Sequence, residues 1–336
     1  MDLMLLSLLL LALIPWIIAR LTFRFWVKIG SLWELVDKPG PRKIHQEPVS
    51  MAGGLTAMAA SCVLFAGLLS FKHGNDPVDM QSFPFFLSAS LTGGIAFFIL
   101  GLVDDIKDLK PGKKFLSQLV LVLIMCCWVR FPLFEQAWMN VLVTALWFGI
   151  VLNALNFLDN MNGLCCGLGI VLLFGFWGLS LFSKTVDAGA SSLLVVLPVC
   201  LGGLLGFLPF NYPKAEAFLG NSGSHWVGYW VALSSVIAGR GLMQTALSTE
   251  HSPWTRLLPV MMLLLVPLYD LISVMIIRLK NRKPVYIGDT NHISHRLTRI
   301  GWSQKKAVAI IWGLTALTLV VAWRMAFVMT NKEIFH

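Results

Sequence analysis

Residues 136–183 read QAWMNVLVTALWFGIVLNALNFLDNMNGLCCGLGIVLLFGFWGLSLFS. The only charged residue in this stretch is Asp159, which divides it into two apolar runs. A helix of about 20 apolar residues is long enough to cross the hydrocarbon core of a bilayer. Each run reaches that length, so the stretch predicts two transmembrane helices joined by a short polar turn.

The composition of the whole chain supports the same class of protein. Of its 336 residues, 57% are hydrophobic and 13% are charged, whereas an ordinary soluble domain carries about 25% charged residues. This composition excludes a water-soluble globule, a disordered chain, a collagen-like fibre and a disulfide-rich secreted scaffold. The net charge of +9 is explained by membrane topology and anionic phosphate substrates, and no nucleic-acid partner is predicted.

Apolar runs of similar length recur along the chain and predict an all-α integral membrane protein. We count ten transmembrane helices in one polytopic domain, 1–336, with nine or eleven as the alternatives. The predicted spans cover roughly residues 3–22, 49–71, 80–103, 115–131, 136–158, 160–183, 190–210, 224–240, 257–277 and 307–329.

Basic residues lie mainly on one side of these spans. The first apolar run is followed by Arg20, Arg24 and Lys28, which places the N-terminus outside the cell. The loops after spans 1, 3, 5, 7 and 9 then hold 19 of the 26 Lys and Arg residues. The asymmetry predicts ten helices with both termini outside.

Polar residues of the predicted cytoplasmic side fall at one level of the membrane. They end the third and fifth spans, precede the eighth, or lie in the last basic loop: Asp104, Asp105, Asp159, Asn221, Asp289, His292 and His295. Taken singly, each has a plain explanation as a helix end, a polar turn or a surface histidine. Their shared depth instead predicts an active-site cleft formed by the cytoplasmic loops, because polar groups close to a bilayer are costly.

The residue types in this cleft suit phosphoryl chemistry. Adjacent carboxylates, a third carboxylate and several amides are oxygen ligands of the kind that Mg²⁺ prefers. Cations for phosphate oxygens come from Arg42, Lys43, Lys114 and Arg296. The start of the eighth span, at Gly220, Gly223 and Ser224, offers backbone N–H groups to an anion. A metal, a positive clamp and a positioning carboxylate are the usual parts of such a site.

Five ordered blocks give the chain a family resemblance that runs from about Asp37 to Gly301. They are DKPGPRKIHQEP (37–48), GLVDDIKDLKPGKKFLSQ (101–118), NALNFLDNMNGL (153–164), FLGNSGS (218–224) and DTNHISHRL (289–297). In these blocks the sequence resembles the polyprenyl-phosphate N-acetylhexosamine-1-phosphate transferase superfamily, glycosyltransferase family 4. The last block is more similar to the undecaprenyl-phosphate GlcNAc-1-phosphate transferases than to the phospho-MurNAc-pentapeptide translocase.

The resemblance implies a reaction, a cofactor and a location. A hexosamine 1-phosphate, GlcNAc-1-phosphate first, would pass from a UDP-sugar to a polyprenyl phosphate such as undecaprenyl phosphate, with release of UMP. The cofactor would be Mg²⁺ or Mn²⁺. The enzyme would lie in the bacterial inner membrane with its active site facing the cytoplasm, in contact with membrane lipid, and a homodimer is compatible with the family. Its products would serve cell-wall, lipopolysaccharide or polysaccharide synthesis.

The resemblance also implies roles for individual residues. Catalytic roles fall to Asp104, Asp105, Asp159, His292 and His295. Substrate binding falls to Arg42, Lys43, His45, Lys114, Asn153, Asn156, Asn162 and Arg296. Metal ligation falls to Asp159 and Asn221.

Three positions depart from the family pattern. The second carboxylate of the Asp159 block is replaced by Asn162, the metal-binding aspartate by Asn221, and the middle histidine of the last block by Ser294. These changes keep a second hypothesis open, a catalytically weakened homologue that binds lipid phosphate or regulates a partner. A transporter is a third, but it needs polar residues at mid-bilayer, where only Asp270 qualifies.

Two spatial predictions follow for the carboxylates. Asp104, Asp105 and Asp159 should converge on one cleft although they belong to different spans. Asp270 should face the bundle interior and the same cleft, because an unpaired carboxylate in a span is costly; the alternative is a plain hydrogen bond to a neighbouring helix. The lipid-phosphate oxygen would attack the β-phosphorus directly, with Asp104 or Asp105 as positioning group or base, or react in two steps through an aspartyl-phosphate.

Overall fold

A computed structural model describes residues 3–37, 47–70, 82–182, 188–245, 252–286 and 288–330. Two very short strands, β1 (Val36–Asp37) and β2 (Val49–Ser50), are the only strands in these ranges. The helices are α1 (Leu3–Leu32), α2 (Gly53–Ser70), α3 (Ser82–Lys107), α4 (Pro111–Met125), α5 (Ala137–Phe157), α6 (Leu164–Leu181), α7 (Ala188–Asn211), α8 (Gly220–Thr245), α9 (Pro253–Arg256), α10 (Leu258–Leu263), α11 (Leu265–Lys280), α12 (Ile293–Arg299) and α13 (Gln304–Thr330).

The centre of the bundle is α8. Every residue from 222 to 239 is buried, including the large side chains of Trp226, Tyr229 and Trp230. The helix packs against α2, α3, α5 and α6. Helix α7 packs against α6 and also against α1 and α2. Because α8 is covered on all sides, its N-terminus meets the ends of its neighbours in the protein interior. That position decides where the polar residues assemble.

The outer helices expose large apolar side chains. On α1, α4, α5 and α13, half or more of the side-chain surface is exposed at positions such as Leu21, Leu116, Trp138 and Leu317. Six helices are long and apolar enough to cross a membrane, namely α1, α3, α5, α6, α7 and α13, and a bent pair around Leu264 gives a seventh if it is one span. Apolar surfaces of this extent fit contact with lipid. The prediction of an all-α membrane protein is therefore confirmed, while the number of ten spans stays a prediction.

The predicted span 257–277 is not one continuous helix. The chain breaks at Leu264, and the segments Trp254–Leu263 and Leu265–Lys280 are bent by 83°. The sequence explains the break, because the ring of Pro267 would clash with the carbonyl group four residues earlier, at Leu263, where α10 ends. The prediction that treated this stretch as a span interrupted only by Asp270 was wrong on this point.

Several helices extend beyond the predicted spans into the polar flanks. The predicted spans 3–22 and 80–103 correspond to α1, which continues to Leu32, and α3, which continues to Lys107. The last turn of α3 therefore includes Asp104 and Asp105. The predicted span 115–131 instead begins at Pro111, where proline suits the first helical turn, and ends at Met125.

The two strands fasten the first polar loop to the start of α8. Val36 pairs with Ser50 in antiparallel register, and Ser50 accepts a hydrogen bond at 2.8 Å from the backbone N–H of Phe218. The backbone N–H of Gly53 donates in turn to the Phe218 carbonyl at 3.0 Å. The loop that follows α1 and the segment before α8 are thereby held side by side.

Candidate functional site

The N-terminus of α8 is capped by a carboxylate from α3. Asp105 accepts hydrogen bonds from the backbone N–H of Asn221 at 2.8 Å and of Ser222 at 2.9 Å. The first N–H groups of a helix lack partners within the helix and favour negative charge. The sequence predicts an anion at this helix start, near Gly220, Gly223 and Ser224. Asp105 occupies the N–H groups of Asn221 and Ser222, and a substrate anion at Gly223 and Ser224 stays a prediction.

Two glycines make this close approach geometrically feasible. Gly220 has a φ of +75°, a left-handed conformation that an L side chain rarely adopts, and α8 starts there. On α3, a Cβ atom at Gly101 would lie 2.3 Å from the carbonyl oxygen of Asn221. Without side chains at these positions, the end of α3 can lie directly on the start of α8.

Asp159 lies on the other side of the same helix start. It belongs to the turn between α5 and α6, where the residue as a whole is half-buried and its carboxyl group is enclosed by protein atoms. Removal from water raises the pKa of its carboxyl group to about 7, the charge of Asp105 acts in the same direction, and a hydrogen bond from the Gly220 N–H opposes both. Asp105 and Asp159 therefore meet at Gly220, although they follow different helices.

Asp104 makes an ion pair with a lysine. Its Oδ2 lies 2.8 Å from Nζ of Lys114 on α4, and its Oδ1 accepts the backbone N–H of Leu109 at 3.0 Å. The same ammonium group also donates to Oδ1 of Asn156 and to Oδ1 of Asn221, each at 3.1 Å. Lys114 thus binds oxygens from α3, α5 and α8.

A chain of amides continues from this lysine into the bundle. Asn156 Nδ2 donates to Oδ1 of Asn221 at 2.8 Å and to Oγ of Ser224 at 2.9 Å. Nδ2 of the predicted substrate-binding residue Asn153 donates to Oε1 of Gln118 at 3.1 Å. Asn153 and Asn156 therefore lie on the inner face of α5, bonded to protein groups.

Two residues of this network, Gln118 and His225, were not among the predicted site residues. Nε2 of Gln118 lies 2.9 Å from Nε2 of His225, whose Nδ1 lies 2.7 Å from the carbonyl oxygen of Asn221. Gln118 follows Lys114 by four residues and His225 follows Asn221 by four, so each pair shares one helix face. This spacing is the sequence signal that points to both residues.

A second polar cluster joins α11 to the last basic loop. Asp270 is fully buried, and its Oδ2 lies 2.7 Å from Nδ1 of His292 while its Oδ1 accepts the backbone N–H of Ile293 at 2.6 Å. The His292 ring stands edge-on to Phe157, with 5.9 Å between ring centres. The partner of Asp270 is thus one of the predicted catalytic histidines.

The turn between α5 and α6 connects the two clusters. Oγ of Ser294, a buried side chain, donates to Oδ1 of Asn160 at 2.6 Å. Asn160 is adjacent to Asp159, so the turn contacts α8 on one side and α12 on the other. At the third departure from the family pattern, serine is a small donor that fills this buried position. Asn162 lies farther out, with a long contact of 3.4 Å from Nδ2 to the Pro213 carbonyl oxygen.

Two further predicted residues, His295 and Arg296, lie on α12, which begins directly after His292. Arg296 Nη2 donates to Oγ of Ser273 at 2.9 Å, and its guanidinium group lies 5.6 Å from the ring centre of Tyr269. Burial lowers the pKa of His295, and the charges of His292 and Arg299 lower it further. His295 is therefore neutral at pH 7. The predicted residues Arg42, Lys43 and His45 lie outside the described residues.

Asp289 holds the buried guanidinium group of Arg278. Arg278 Nε donates to Oδ2 of Asp289 at 3.0 Å, another of its N–H groups donates to the Val285 carbonyl, and its charge lies 5.0 Å from the ring centre of Phe157. Burial raises the pKa of Asp289, but the hydrogen bonds from Arg278 and Asn291 outweigh it, so the pKa lies below its usual value.

We expect Asp289→Asn to destabilise the protein in a pH-dependent way. Because the pKa of Asp289 is lower in the folded protein than in the unfolded one, the carboxylate stabilises the fold at any pH above its unfolded-state pKa. This stabilisation disappears as the pH falls through its folded-state pKa. The difference in melting temperature between wild type and variant should be constant from pH 5 to 7 and shrink below about pH 4. A difference that does not change down to pH 3 would contradict the assignment.

We expect removal of the α8 cap to cost measurable stability. Asp105→Ala leaves two buried N–H groups without acceptors and should lower the free energy of unfolding by about 1–2 kcal/mol. Asp105→Asn keeps one acceptor oxygen and should fall between the alanine variant and the wild type. Thermal unfolding in detergent checks the order. Equal melting temperatures for all three proteins would show that the cap contributes nothing.

The described residues do not fit a Mg²⁺ ion held at Asn221. No group of three His, Cys, Asp or Glu side chains in the described ranges is arranged to hold a metal. Asp104 is paired with Lys114, Asp105 caps α8, and the side-chain oxygen of Asn221 accepts two hydrogen bonds. Asp159 is the remaining carboxylate of the predicted set. The expectation of a metal at Asp159 stays a prediction.

A family model and several known proteins match this chain, and they indicate the same family. The glycosyl transferase family 4 model matches residues 85–239, the part of the chain from α3 to α8. This part contains Lys114 and the three residues that its ammonium group contacts. The chain is 30% identical over 312 residues to the decaprenyl-phosphate N-acetylglucosaminephosphotransferase of Mycobacterium tuberculosis, covering 84% of this chain and 74% of the relative.

Two further relatives cover more of the chain at lower identity. One is the protein of Bacillus subtilis named "Probable undecaprenyl-phosphate N-acetylglucosaminyl 1-phosphate transferase", 28% identical over 309 residues, with 88% of this chain and 77% of the relative covered. The other is the phospho-N-acetylmuramoyl-pentapeptide-transferase of Deinococcus radiodurans, 25% identical over 345 residues, with 93% and 96% covered. The chain therefore belongs to glycosyl transferase family 4, on the branch of the polyprenyl-phosphate N-acetylglucosamine-1-phosphate transferases.

Proposed function

We propose that the protein transfers a hexosamine 1-phosphate, with GlcNAc-1-phosphate as the first candidate, from a UDP-sugar to a polyprenyl phosphate such as undecaprenyl phosphate. UMP is the second product. The observation that carries the proposal is the meeting of Asp105 and Asp159 at the start of α8, with the charge of Lys114 beside them. Two of the relatives carry names that include undecaprenyl phosphate or decaprenyl phosphate, which supports the general reaction.

In this reaction the protein mainly positions and neutralises phosphates. An oxygen of the lipid phosphate forms a bond to the β-phosphorus of the UDP-sugar, and the bond from that phosphorus to the bridging oxygen breaks, so that the electron pair leaves on UMP. Phosphoryl transfer depends on alignment and charge more than on covalent help from the protein. Asp159 is assigned the role of positioning the lipid phosphate and accepting its proton, because Asp104 and Asp105 are already engaged with Lys114 and α8.

The second cluster supplies groups for the diphosphate. His292 is oriented by Asp270 and Arg296 is held by Ser273, at the start of α12 and within it. Ser294 of α12 bonds Asn160, which is adjacent to Asp159 in the turn between α5 and α6. A donor N–H of the imidazole and a planar guanidinium group both suit phosphate oxygens. His295 lies 6.4 Å from the His292 ring, centre to centre, and is assigned to the same substrate.

We place this chemistry at the cytoplasmic face of the bacterial inner membrane. The ten-span arrangement with both termini outside is the proposed topology. The six long apolar helices and the bent pair supply seven of these spans, and α2, α4 and α8 supply the other three. The charge asymmetry of the loops supports this orientation.

A transfer assay tests the proposal. The purified protein is incubated with Mg²⁺, undecaprenyl phosphate and UDP-GlcNAc radiolabelled in the sugar, and the label is followed into the organic phase together with the release of UMP. UDP-GalNAc and UDP-MurNAc-pentapeptide in parallel reactions identify the sugar. We expect lipid-linked label and UMP in equal amounts. If neither lipid-linked label nor UMP forms with any of the three nucleotides, the proposal is contradicted.

A second candidate function is binding without turnover. The replacement of family carboxylates by Asn162 and Asn221, together with the engagement of the Asn221 oxygen by Lys114, favours a weakened homologue that holds lipid phosphate or regulates a partner. The two functions differ in one measurement. Saturable binding of undecaprenyl phosphate without formation of UMP would select the second.

A further inference from the structure

The ammonium group of Lys114 is surrounded by oxygens as a bound cation would be. Oxygens of Asp104, Asn156 and Asn221 lie 2.8, 3.1 and 3.1 Å from Nζ and come from three different helices. The lysine side chain is 18% exposed and that of Asp104 is 6% exposed, so the pair is largely removed from water. Three donors of one ammonium group are thereby matched by three acceptors.

The side-chain oxygen of Asn221 already accepts two hydrogen bonds and has no lone pair left for a metal ion. It accepts the Lys114 N–H at 3.1 Å and the Asn156 N–H at 2.8 Å. A carbonyl oxygen has two lone pairs, and both are directed to these donors. A metal bound there would have to displace at least one of them.

The charges of this cluster already balance. Asp104 contributes one negative charge and Lys114 one positive charge, whereas Asn156 and Asn221 are neutral. A divalent cation brought into the same space would stand beside the ammonium group, and like charges at such distances repel strongly. The other carboxylates nearby, Asp105 and Asp159, are already bonded to N–H groups at the start of α8. An aspartate at position 221 would change this balance by one negative charge.

We propose that the Lys114 ammonium group takes the place of a protein-bound divalent cation at the Asn221 position. The protein without substrate then holds no divalent ion there, and a divalent ion used in the reaction would have to be held elsewhere, at Asp159 or by the diphosphate of the sugar nucleotide. The catalytic consequence rests on the proposed function, but the binding consequence does not.

Metal binding to the full-length protein without nucleotide tests the inference. Mn²⁺ is titrated into the purified protein in detergent, and free Mn²⁺ is measured by electron paramagnetic resonance for wild type, Asn221→Asp and Asn281→Asp. The last variant adds the same charge at an exposed position and controls for unspecific attraction. We expect Asn221→Asp to bind one Mn²⁺ per chain at least tenfold more tightly than wild type, and Asn281→Asp to match the wild type.

A lysine variant gives an independent measurement. Lys114→Met removes the charge and leaves the three oxygens without a cation, so Mg²⁺ should raise its melting temperature more than that of the wild type. Lys113→Met, at the neighbouring exposed position, should respond like the wild type.

The inference is overturned if the wild type binds one Mn²⁺ per chain without nucleotide and Asn221→Ala abolishes that binding. Equal Mn²⁺ affinity of wild type and Asn221→Asp would also overturn it. If either variant fails to fold, the wild-type titration and the remaining variants still decide. The absence of transfer activity would reject the proposed function and leave these binding results unchanged.

Discussion

Replacement of Asp159 by asparagine should lower the rate of sugar-phosphate transfer by about 100- to 10,000-fold, the range found when a positioned acid or base is removed. The carboxyl group lies at the start of α8 beside Asp105, and its pKa of about 7 suits a group that exchanges a proton near neutral pH. Asparagine has nearly the same volume and cannot accept that proton. The melting temperature should change little, because removal of one carboxylate relieves repulsion with Asp105.

The measurement is kcat for lipid-linked product, with thermal unfolding as a check on folding. Asp108→Asn is the matched control, because this aspartate is exposed in the loop after α3 and belongs to neither polar cluster. It should keep wild-type activity. A rate for Asp159→Asn within threefold of the wild type would remove Asp159 from the proposed mechanism.

Replacement of Asp270 by asparagine should lower kcat by about 10- to 100-fold, as with other partners that orient a functional side chain. Asp270 is a positioning residue, because it acts through His292. Its two oxygens accept the Ile293 N–H and face Nδ1 of His292. Asparagine has a single acceptor oxygen, so if that oxygen serves Ile293, an NH₂ group faces the ring. The imidazole would then carry its proton on Nε2, or turn away.

Non-additivity separates this role from a merely structural one. His292→Ala should reduce kcat at least as far as Asp270→Asn, and the double variant should be no slower than His292→Ala alone, because both changes remove the same oriented ring. Losses that multiply, or a fall in kcat that parallels a fall in folded protein, would assign Asp270 to structure. This outcome would return it to the alternative of a plain hydrogen bond between neighbouring elements.

Much of the fold was open to prediction from the sequence. Apolar runs gave the membrane class and located most helices to within a few residues, since burial in lipid requires length and hydrophobicity that can be read directly. The break at Leu264 was missed because the run 257–277 was judged by its apolar content, although Pro267 signalled it. The ends of α1 and α3 were missed because basic and acidic residues were taken to terminate helices that continue through them.

The sequence predicted that Asp104, Asp105, Asp159 and Asn221 lie close together, but it predicted none of the hydrogen bonds between them and did not include Gln118 and His225. Asp104 and Asp105 are adjacent in sequence, yet one binds a lysine of α4 and the other caps α8. Which carboxylate does which depends on the rotation of the last turn of α3 against two other helices. No local pattern contains that information. The partner of Asp270 was equally hidden, because His292 lies 22 residues away beyond the end of α11.

The burial of α8 has a consequence for the synthesis of the protein. A helix that enters the bilayer by itself must be apolar enough to leave the translocon, and polar side chains raise that cost. In α8, Ser224 and Ser235 instead bind Asn156 and Trp147 of α5. In the proposed topology, α8 therefore inserts together with helices that are already in place. Membrane integration of this helix and assembly of the polar residues at its first turn are then a single step of biogenesis. In that step α3 and α5 supply the polar partners that α8 lacks by itself.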